Sequence, residues 1–321
     1  MSYELILPFL RPIEPLLLDD SVSEIMGNPD ASWWYERDGI IRREESISFD
    51  AGRLRTGLEV IANQLGKKLD EDNPVLHAQL PDGSRLAAVI PPVVRPAPAL
   101  TIRKFTSRNY TVDDLIACGT LTRPLADFLA EQIRSGKTLL ISGGTGTGKT
   151  TLLRILADSI PEHERIVVIE DTSELHIQKP NILSVECQTD TFKASITFDD
   201  LLKSALRWRP DRIILGEVRG IEARTLLDSF NTGHAGSLAT IHANSAEKAL
   251  RRFANLVMRN HAQSTFSDTE AEIGDAVDFV VHVERQPGRR ILREVLALRG
   301  YDRDAKRFLI ESVFEVKHAT A

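Results

Sequence analysis

The sequence predicts an α/β fold in which a small α+β N-terminal domain precedes a larger domain with a mostly parallel sheet. At about 150 residues per domain, the chain length of 321 residues suggests two domains. Four prolines lie within residues 91–98, and because proline fixes φ and lacks an N–H donor, this segment is predicted to be a stiff connector. Beyond it, short apolar runs alternate with helical patterns, which is typical of βαβ units.

The distribution of charge predicts a boundary at the same place. The net charge of the chain is -6, and residues 1–100 contain all of it, with 10 Lys and Arg against 16 Asp and Glu. The other 30 basic and 30 acidic residues lie in 101–321. We therefore predict an N-terminal α+β domain over 1–100, ending in the proline-rich connector, and a second domain over 101–321.

Composition excludes several classes of protein. A chain that is 42% hydrophobic and 27% charged can bury a core, so it is not disordered as a whole. Its acidic balance argues against a dedicated nucleic-acid binder. The two cysteines, Cys118 and Cys187, are too few for a disulfide scaffold. No apolar stretch approaches the length of a membrane span, and the segment that begins the sequence is a poor signal peptide, so a cytoplasmic location is expected.

Local patterns predict the elements of both domains in order. In the first domain we expect a helix over 14–30, a hairpin across 32–36 and 40–43, a helix over 54–65, and a hairpin across 75–80 and 85–90. In the second we expect strands over 138–142, 165–169, 212–215 and 237–241, helices over 150–160, 200–208 and 221–230, and a late hairpin across 278–284 and 291–299 at the sheet edge.

Residues 143–150 fit the phosphate-loop pattern G-x-x-x-x-G-K-[ST]. Glycines let successive N–H groups point at phosphate oxygens, and the following helix presents its N-terminus to the same anion. Lys149 is placed to reach the β- and γ-phosphates, and the Thr150 hydroxyl to bind Mg²⁺. A chance match is disfavoured because the motif follows a predicted strand and opens a predicted helix. The predicted nucleotide-binding residues are Gly143, Gly144, Thr145, Gly146, Thr147, Gly148, Lys149, Thr150 and Thr151.

Two carboxylates follow predicted strands, Glu170 after one and Glu217 after another. Ligands of open α/β sheets lie outside the carboxyl ends of strands. Hydrolysis of a γ-phosphate requires a metal that neutralises charge and a group that orients water. One carboxylate would therefore hold Mg²⁺ and the other would position water, and the sequence does not divide these roles. The alternative is that either residue caps a loop or forms a salt bridge.

Histidines and arginines supply further candidates. His234 and His242 bracket the fourth predicted strand, and we favour phosphate sensing over zinc binding because neither cysteine is nearby. The transition state of phosphoryl transfer requires positive charge, which Arg103, Arg108 and Arg219 are placed to supply. The alternative is that these arginines are solvated or paired with nearby aspartates. The candidates for such pairing are Asp171, Asp200 and Asp211.

Several segments in order resemble the motifs of the secretion-superfamily traffic ATPases. Residues 143–150, 169–175 and 209–220 are similar to the Walker A, acidic and Walker B boxes, and residues 231–237 with 239–244 are similar to the histidine box. Residues 22–28 and 80–85 resemble the N-terminal domain of that family. The conjugal-transfer branch of Trb type is the most similar. Trp208 departs from the pattern, since a smaller residue is expected there.

The resemblance implies a RecA-like P-loop NTPase domain and a hexameric ring of identical subunits, with ATP and Mg²⁺ held between the N-terminal and RecA-like domains. It implies that Lys149 and Thr150 bind phosphate and metal and that Glu217 and Glu170 form the hydrolytic centre. Arg103 and Arg108 match the segment that reaches phosphate from the N-terminal domain. The predicted catalytic set is Glu217, Glu170, Lys149, His242, His234, Arg108, Arg103 and Arg219, and the predicted metal ligands are Thr150, Glu217 and Glu170.

The leading hypothesis is an ATP hydrolase of a type IV secretion or conjugation apparatus that drives substrate transfer or pilus assembly. Its expected partners are inner-membrane components of that apparatus, with a peripheral position at the cytoplasmic face. A Tad-like, type IV pilus or type II secretion motor is the closest alternative. A RecA-like nucleic-acid motor is disfavoured because the acidic first domain and the neutral second domain offer no long basic track. The pore of a ring could still be locally basic, so direct nucleic-acid binding stays open. A small-molecule kinase fits the paired acids and histidines less well, because these suit water as the acceptor. A non-hydrolysing nucleotide switch is the remaining alternative.

Overall fold

The structure, a computed structural model, describes residues 7–37, 39–105, 110–188, 195–259, 265–286 and 289–316. The chain divides into two compact units, Met1–Asn109 and Tyr110–Ala321. The predicted α/β class is confirmed, since each unit contains one sheet covered by helices. Within the described residues, no helix has both the length and the apolar character required to span a bilayer.

The first unit contains a six-stranded antiparallel sheet in the order β3-β2-β1-β6-β5-β4. Its strands are β1 Val22–Gly27, β2 Trp33–Arg37, β3 Ile40–Glu44, β4 Val75–Gln79, β5 Arg85–Val89 and β6 Ala99–Arg103. Its helices are α1 Leu7–Leu10, a 3-10 turn Arg11–Ile13, α2 Glu14–Leu18 and α3 Ala51–Gln64. The side chain of Asp50 caps α3 by accepting the N–H of Arg53, and the buried stripe of Leu54, Leu58 and Ile61 joins the core.

The predicted helix over 14–30 is wrong beyond Leu18, because Val22–Gly27 is strand β1. This strand lies between β2 and β6, and Ile25 pairs with Tyr35 on one side and with Ile102 on the other. Two ladders of hydrogen bonds from distant segments therefore override the local helical spacing. Both predicted hairpins and the helix over 54–65 are confirmed.

The proline-rich segment 91–98 does not separate the two units. It joins β5 to β6, which are antiparallel neighbours with Val89 opposite Ala99. The predicted boundary at residue 100 thus falls inside β6, and the division into units comes after Asn109. Stiff proline segments serve loops as well as linkers, and composition alone does not distinguish the two.

The second unit contains an eight-stranded sheet in the order β14-β13-β12-β7-β11-β10-β8-β9. Its strands are β7 Leu139–Gly143, β8 Ile166–Glu170, β9 Ile182–Glu186, β10 Arg212–Val218, β11 Leu238–His242, β12 Phe279–Gln286, β13 Arg289–Asp302 and β14 Arg307–Glu315. Its helices are α4 Val112–Ala117, α5 Arg123–Arg134, α6 Lys149–Ala157, α7 Phe198–Ala205, α8 Glu222–Asn231, α9 Ala246–Met258 and α10 Phe266–Ala276. All neighbours from β12 to β9 are parallel, whereas β13 and β14 are antiparallel.

Cores on both faces cover this sheet. Ile213 and Leu215 point into one core with α7, α8, α9 and α10, and Ile214 points into the other with α5 and α6. This burial on both faces explains the continuous apolar runs in the strands. Trp208, which departs from the family pattern, is partly buried against the first of these cores.

The late hairpin is present, but its predicted position at the sheet edge is wrong. Strand β12 lies beside β7 in parallel, and β14 forms the edge. Residues 279–283 are all buried, as expected for an inner strand. The local turn signal identified the hairpin, but it carried no information about the strand with which the hairpin pairs.

Candidate functional site

The carboxyl ends of the parallel strands bring most of the predicted site residues to one edge of the second sheet. Gly143, the last residue of β7, pairs with His242 of β11 on one side and with Val283 of β12 on the other. Glu217 lies near the end of β10, and Glu170 is the last residue of β8. The order β7-β11-β10-β8 therefore places the phosphate loop, His242, Glu217 and Glu170 along one line.

Glycines give the phosphate loop its path between β7 and α6. Gly146 and Gly148 have φ values of 70° and 90°, a region that disfavours other residues. A methyl group on Gly143 would lie 2.5 Å from the carbonyl oxygen of Val283, so a larger residue does not fit there. The loop is thus held against β12 and ends at Gly148, the N-cap of α6.

Lys149 is held inside this loop. Its side chain is buried, and Nζ donates a hydrogen bond to the carbonyl oxygen of Gly144 at 2.7 Å. The Thr147 hydroxyl donates to the same oxygen at 3.0 Å. Thr150 and Thr151 follow in the first turn of α6, where the N–H groups of a helix have no intrahelical acceptor. An ammonium group beside free helix N–H groups is a site for phosphate.

The carboxylate of Glu217 contacts the side chains of His242 and Arg219. Its Oε1 lies 3.1 Å from Nε2 of His242, and its Oε2 accepts a hydrogen bond from Arg219 at 2.8 Å. Arg219 also donates to Asp171 at 3.1 Å, so the aspartate pairing that the sequence left open is present together with the bond to Glu217. Burial, followed by the positive charge of Lys149, lowers the pKa of His242. The imidazole is therefore neutral at neutral pH and able to donate to the carboxylate.

Glu170 has a different environment. It is 4% exposed, and its Oε1 accepts the backbone N–H groups of Glu174 at 2.9 Å and Leu175 at 3.0 Å. Burial raises the pKa of Glu170 to about 7, although the two N–H donors act in the opposite direction. A methyl group on Gly216 would lie 3.3 Å from Cγ of Glu170, so the neighbouring strand packs closely on this side chain.

Comparison with known proteins decides the family. A model described as "Type II/IV secretion system protein" matches residues 10–290. The chain is 38% identical over 290 residues to conjugal transfer protein TrbB of Rhizobium radiobacter, which covers 88% of this chain and 86% of the relative. The chain belongs to the type II/IV secretion system protein family. The resemblance predicted from the four motifs is confirmed.

Two further matches extend over most of this secretion-family chain. It is 33% identical over 313 residues to type IV secretion system protein PtlH of Bordetella pertussis, which covers 89% of this chain and 92% of the relative. The crystal structure of the VirB11 ATPase of Brucella suis matches with a TM-score of 0.50 and 28% identity, over 90% of this chain and 93% of that chain. Family membership and the phosphate loop identify the chain as an ATP hydrolase, which confirms the predicted enzyme class.

The structure of this secretion ATPase does not bring every predicted residue to the site. His234 precedes β11 and therefore lies at the opposite edge of the parallel strands, where its Nδ1 is 3.1 Å from the carbonyl oxygen of Pro210. The prediction that includes both histidines in the catalytic set overlooks that the two ends of a strand lie at opposite edges of the sheet. Arg103 ends β6 in the first unit, with Nε 4.0 Å from Glu24. Arg108 lies outside the described residues.

Two arginines of the secretion ATPase that the sequence analysis missed lie beside the phosphate loop. Arg290 of β13 donates from Nε to the carbonyl oxygen of Gly146 at 3.0 Å. Nη1 of Arg285 in β12 would lie 3.1 Å from a methyl group on Gly146. The sequence predicted the hairpin that carries them, but only the pairing of β12 with β7 brings it to the loop.

The raised pKa of Glu170 predicts a pH-dependent contribution to the stability of this secretion ATPase. Because the pKa is about 7 in the folded state against an ordinary value of 4.5, the contribution is complete below pH 4.5 and is lost as pH rises towards 7. We expect wild type to lose about 2 to 3 kcal/mol of unfolding free energy between pH 5 and pH 8 relative to Glu170→Gln. Urea denaturation of both proteins at the two pH values measures this difference. Equal losses in the two proteins would contradict it.

Proposed function

We propose that this chain is the ATPase that powers a type IV secretion apparatus of the conjugal-transfer kind, and that it couples hydrolysis to substrate transfer or pilus assembly. The observation that carries the proposal is the position of Glu217. Its carboxylate contacts Arg219 and His242 and lies at the same sheet edge as the phosphate loop. The similarity to TrbB and PtlH along most of the chain supports the conjugal or type IV secretion branch.

The sheet order supports a division of roles between the two acids. Strands in a sheet lie about 4.8 Å apart, so β10 is about 10 Å from the phosphate-loop strand and β8 about 14 Å. Glu217 is therefore the nearer of the two, and in our proposal it orients the attacking water with the neutral imidazole of His242 as its partner. Glu170, which is close to half protonated at neutral pH, holds the loop after β8 through the N–H groups of Glu174 and Leu175.

The donor set at this edge fits Mg²⁺. The Thr150 hydroxyl at the start of α6 and the carboxylate of Glu217 are oxygen donors, which Mg²⁺ prefers. In the part of the chain that the structure describes, no group of three or more His, Cys, Asp and Glu residues is arranged to bind a metal. This is consistent with Mg²⁺, which in nucleotide sites takes one or two protein ligands and keeps water and phosphate oxygens. When bound, the ion neutralises charge on the β- and γ-phosphates.

Assembly and partners complete the proposal. We infer that the active form is a homohexamer and that it works at the cytoplasmic face of the inner membrane through contacts with membrane components of the apparatus. The net charge of -6 that residues 1–100 carry favours docking on protein over adhesion to anionic lipid.

The proposed ring predicts a nucleotide-dependent mass. With Mg²⁺ and a non-hydrolysable ATP analogue, we expect a species of about six times the subunit mass of 35.8 kDa. In our proposal the nucleotide binds the assembled ring more tightly than the free subunit, so its binding shifts the equilibrium towards the ring. Analytical ultracentrifugation with and without nucleotide measures it. A monomer under all conditions would contradict the ring. ATP hydrolysis stimulated by DNA in a salt-dependent manner would instead favour a nucleic-acid motor.

A further inference from the structure

The hairpin formed by β12 and β13 carries three arginines in the residues that the structure describes around its turn, and two of them lie beside the phosphate loop. Arg285 pairs directly with Arg290 across the hairpin, and Arg289 follows one position away, opposite Gln286. All three arginines are exposed. Directly opposite residues of an antiparallel pair lie on the same face, where two like charges are destabilising. An anion or an acceptor close to such a pair reduces this repulsion.

The sheet fixes the position of this pair relative to the loop. Val283 of β12 pairs with Gly143, the last residue of β7, so Arg285 lies beyond the point where β7 turns into the loop. A methyl group on Gly146 would lie 3.1 Å from Nη1 of Arg285, and one on Gly148 would lie 3.3 Å from Cδ of Arg290. Arg290 therefore contacts the phosphate loop, and Arg285 lies beside it.

The backbone of Arg290 is anchored as well. The Thr120 hydroxyl donates to the carbonyl oxygen of Arg290 at 2.8 Å, and the N–H of Leu292 donates to the carbonyl oxygen of Thr120 at 3.0 Å. Thr120 therefore holds this part of β13 on one side, and β12 pairs with it on the other. From this position Arg290 directs its Nε at the carbonyl oxygen of Gly146, 3.0 Å away. This is a charge-assisted hydrogen bond to the backbone of the loop.

We propose that Arg290 is a positioning residue for the nucleotide phosphates. In a trans peptide the carbonyl and the following N–H point to opposite sides. A Gly146 carbonyl held towards the hairpin by Arg290 therefore turns the N–H of Thr147 away from it, into the curve of the loop that receives the phosphate. The charge of Arg285 adds positive potential at the same place. The ligand class is a nucleoside di- or triphosphate, and this inference rests on the proposed binding of nucleotide at the loop.

The test compares Arg290→Ala with two other variants of the full-length protein. The loss of one charge-assisted hydrogen bond is expected to raise the KM for ATP and the Kd for ADP about tenfold, with kcat within about twofold. Arg290→Lys retains a charged donor and should restore both values to within about threefold of wild type. A general loss of folding would instead lower kcat and would not be rescued selectively by lysine.

Arg289→Ala is the matched control, because it removes the same charge from the same hairpin. Arg289 donates from Nε to the side chain of Gln286 at 3.0 Å. We expect its KM and Kd to stay within about twofold of wild type. The inference is overturned if Arg289→Ala equals Arg290→Ala, or if Arg290→Ala leaves the calorimetric Kd for ADP unchanged. ADP titration tests the inference without turnover, so an inactive wild-type enzyme would contradict the proposed function alone.

Discussion

Replacement of Lys149 by alanine is expected to lower kcat for ATP hydrolysis by about 10²- to 10³-fold or more. Removal of one preorganised donor to developing charge has an effect of this size in other enzymes. Lys149 is buried within the phosphate loop, with Nζ 2.7 Å from the carbonyl oxygen of Gly144, so alanine leaves the loop without this ammonium group. Phosphate release at saturating ATP and Mg²⁺ measures the loss.

Lys137→Ala is the matched control for this change. Lys137 is 45% exposed and pairs with Asp278 at 2.8 Å, and surface pairs of this kind contribute little. We expect its kcat to stay within about twofold of wild type. A Lys149→Ala protein that kept a tenth or more of wild-type activity, with the same fold by circular dichroism, would place hydrolysis elsewhere in the chain.

The predicted site residues that the structure brings together are those whose sequence signals are local. The phosphate loop is a contiguous motif, and its glycine and lysine positions follow from the requirements of a tight turn before a helix. Glu170 and Glu217 were found because each directly follows an apolar run, and parallel strands that end at one edge bring such residues together. Arg219 was recognised because it lies two residues beyond Glu217, although its two partners were left open.

What the sequence could not predict depends on pairing between distant segments. The hairpin of β12 and β13 was evident from its turn, but its contact with the phosphate loop depends on the register Val283 to Gly143. The same limitation produced the wrong helix over 22–27, where two partner strands decide the conformation. The boundary at residue 100 failed for a related reason, since nothing in the proline segment shows that β6 returns to pair with β5.

The raised pKa of Glu170 likewise has no signature in the sequence. It arises because the side chain is buried against Gly216 of the neighbouring strand, at the end of a strand whose residues are all buried. The sequence therefore shows two equivalent acids, whereas the structure shows one that is enclosed and one that is held between His242 and Arg219. The difference in their environments predicts a difference in their roles.

Glu217→Gln is expected to lower kcat by about 10²- to 10⁴-fold, the range for loss of a positioned general base. In the wild-type chain Arg219 donates to Oε2 of Glu217 at 2.8 Å. Glutamine keeps the shape of the side chain and an acceptor oxygen for Arg219, but it lacks the charge that orients and deprotonates water. The Kd for ADP measured without Mg²⁺ should change by less than about threefold, because the phosphate contacts lie on the loop and α6. Single-turnover hydrolysis and ADP titration separate the two effects.

Glu170→Gln distinguishes the two acids within one experiment. Glutamine is isosteric with the protonated form that Glu170 largely adopts below its pKa of about 7, and its oxygen can still accept the N–H groups of Glu174 and Leu175. At pH 6 we therefore expect kcat within about tenfold of wild type, far above that of Glu217→Gln. If Glu170→Gln were the more damaging change at this pH, the roles would be reversed. Glu170 would then be the group that activates water, and the contacts of His242 and Arg219 with Glu217 would stabilise the end of β10.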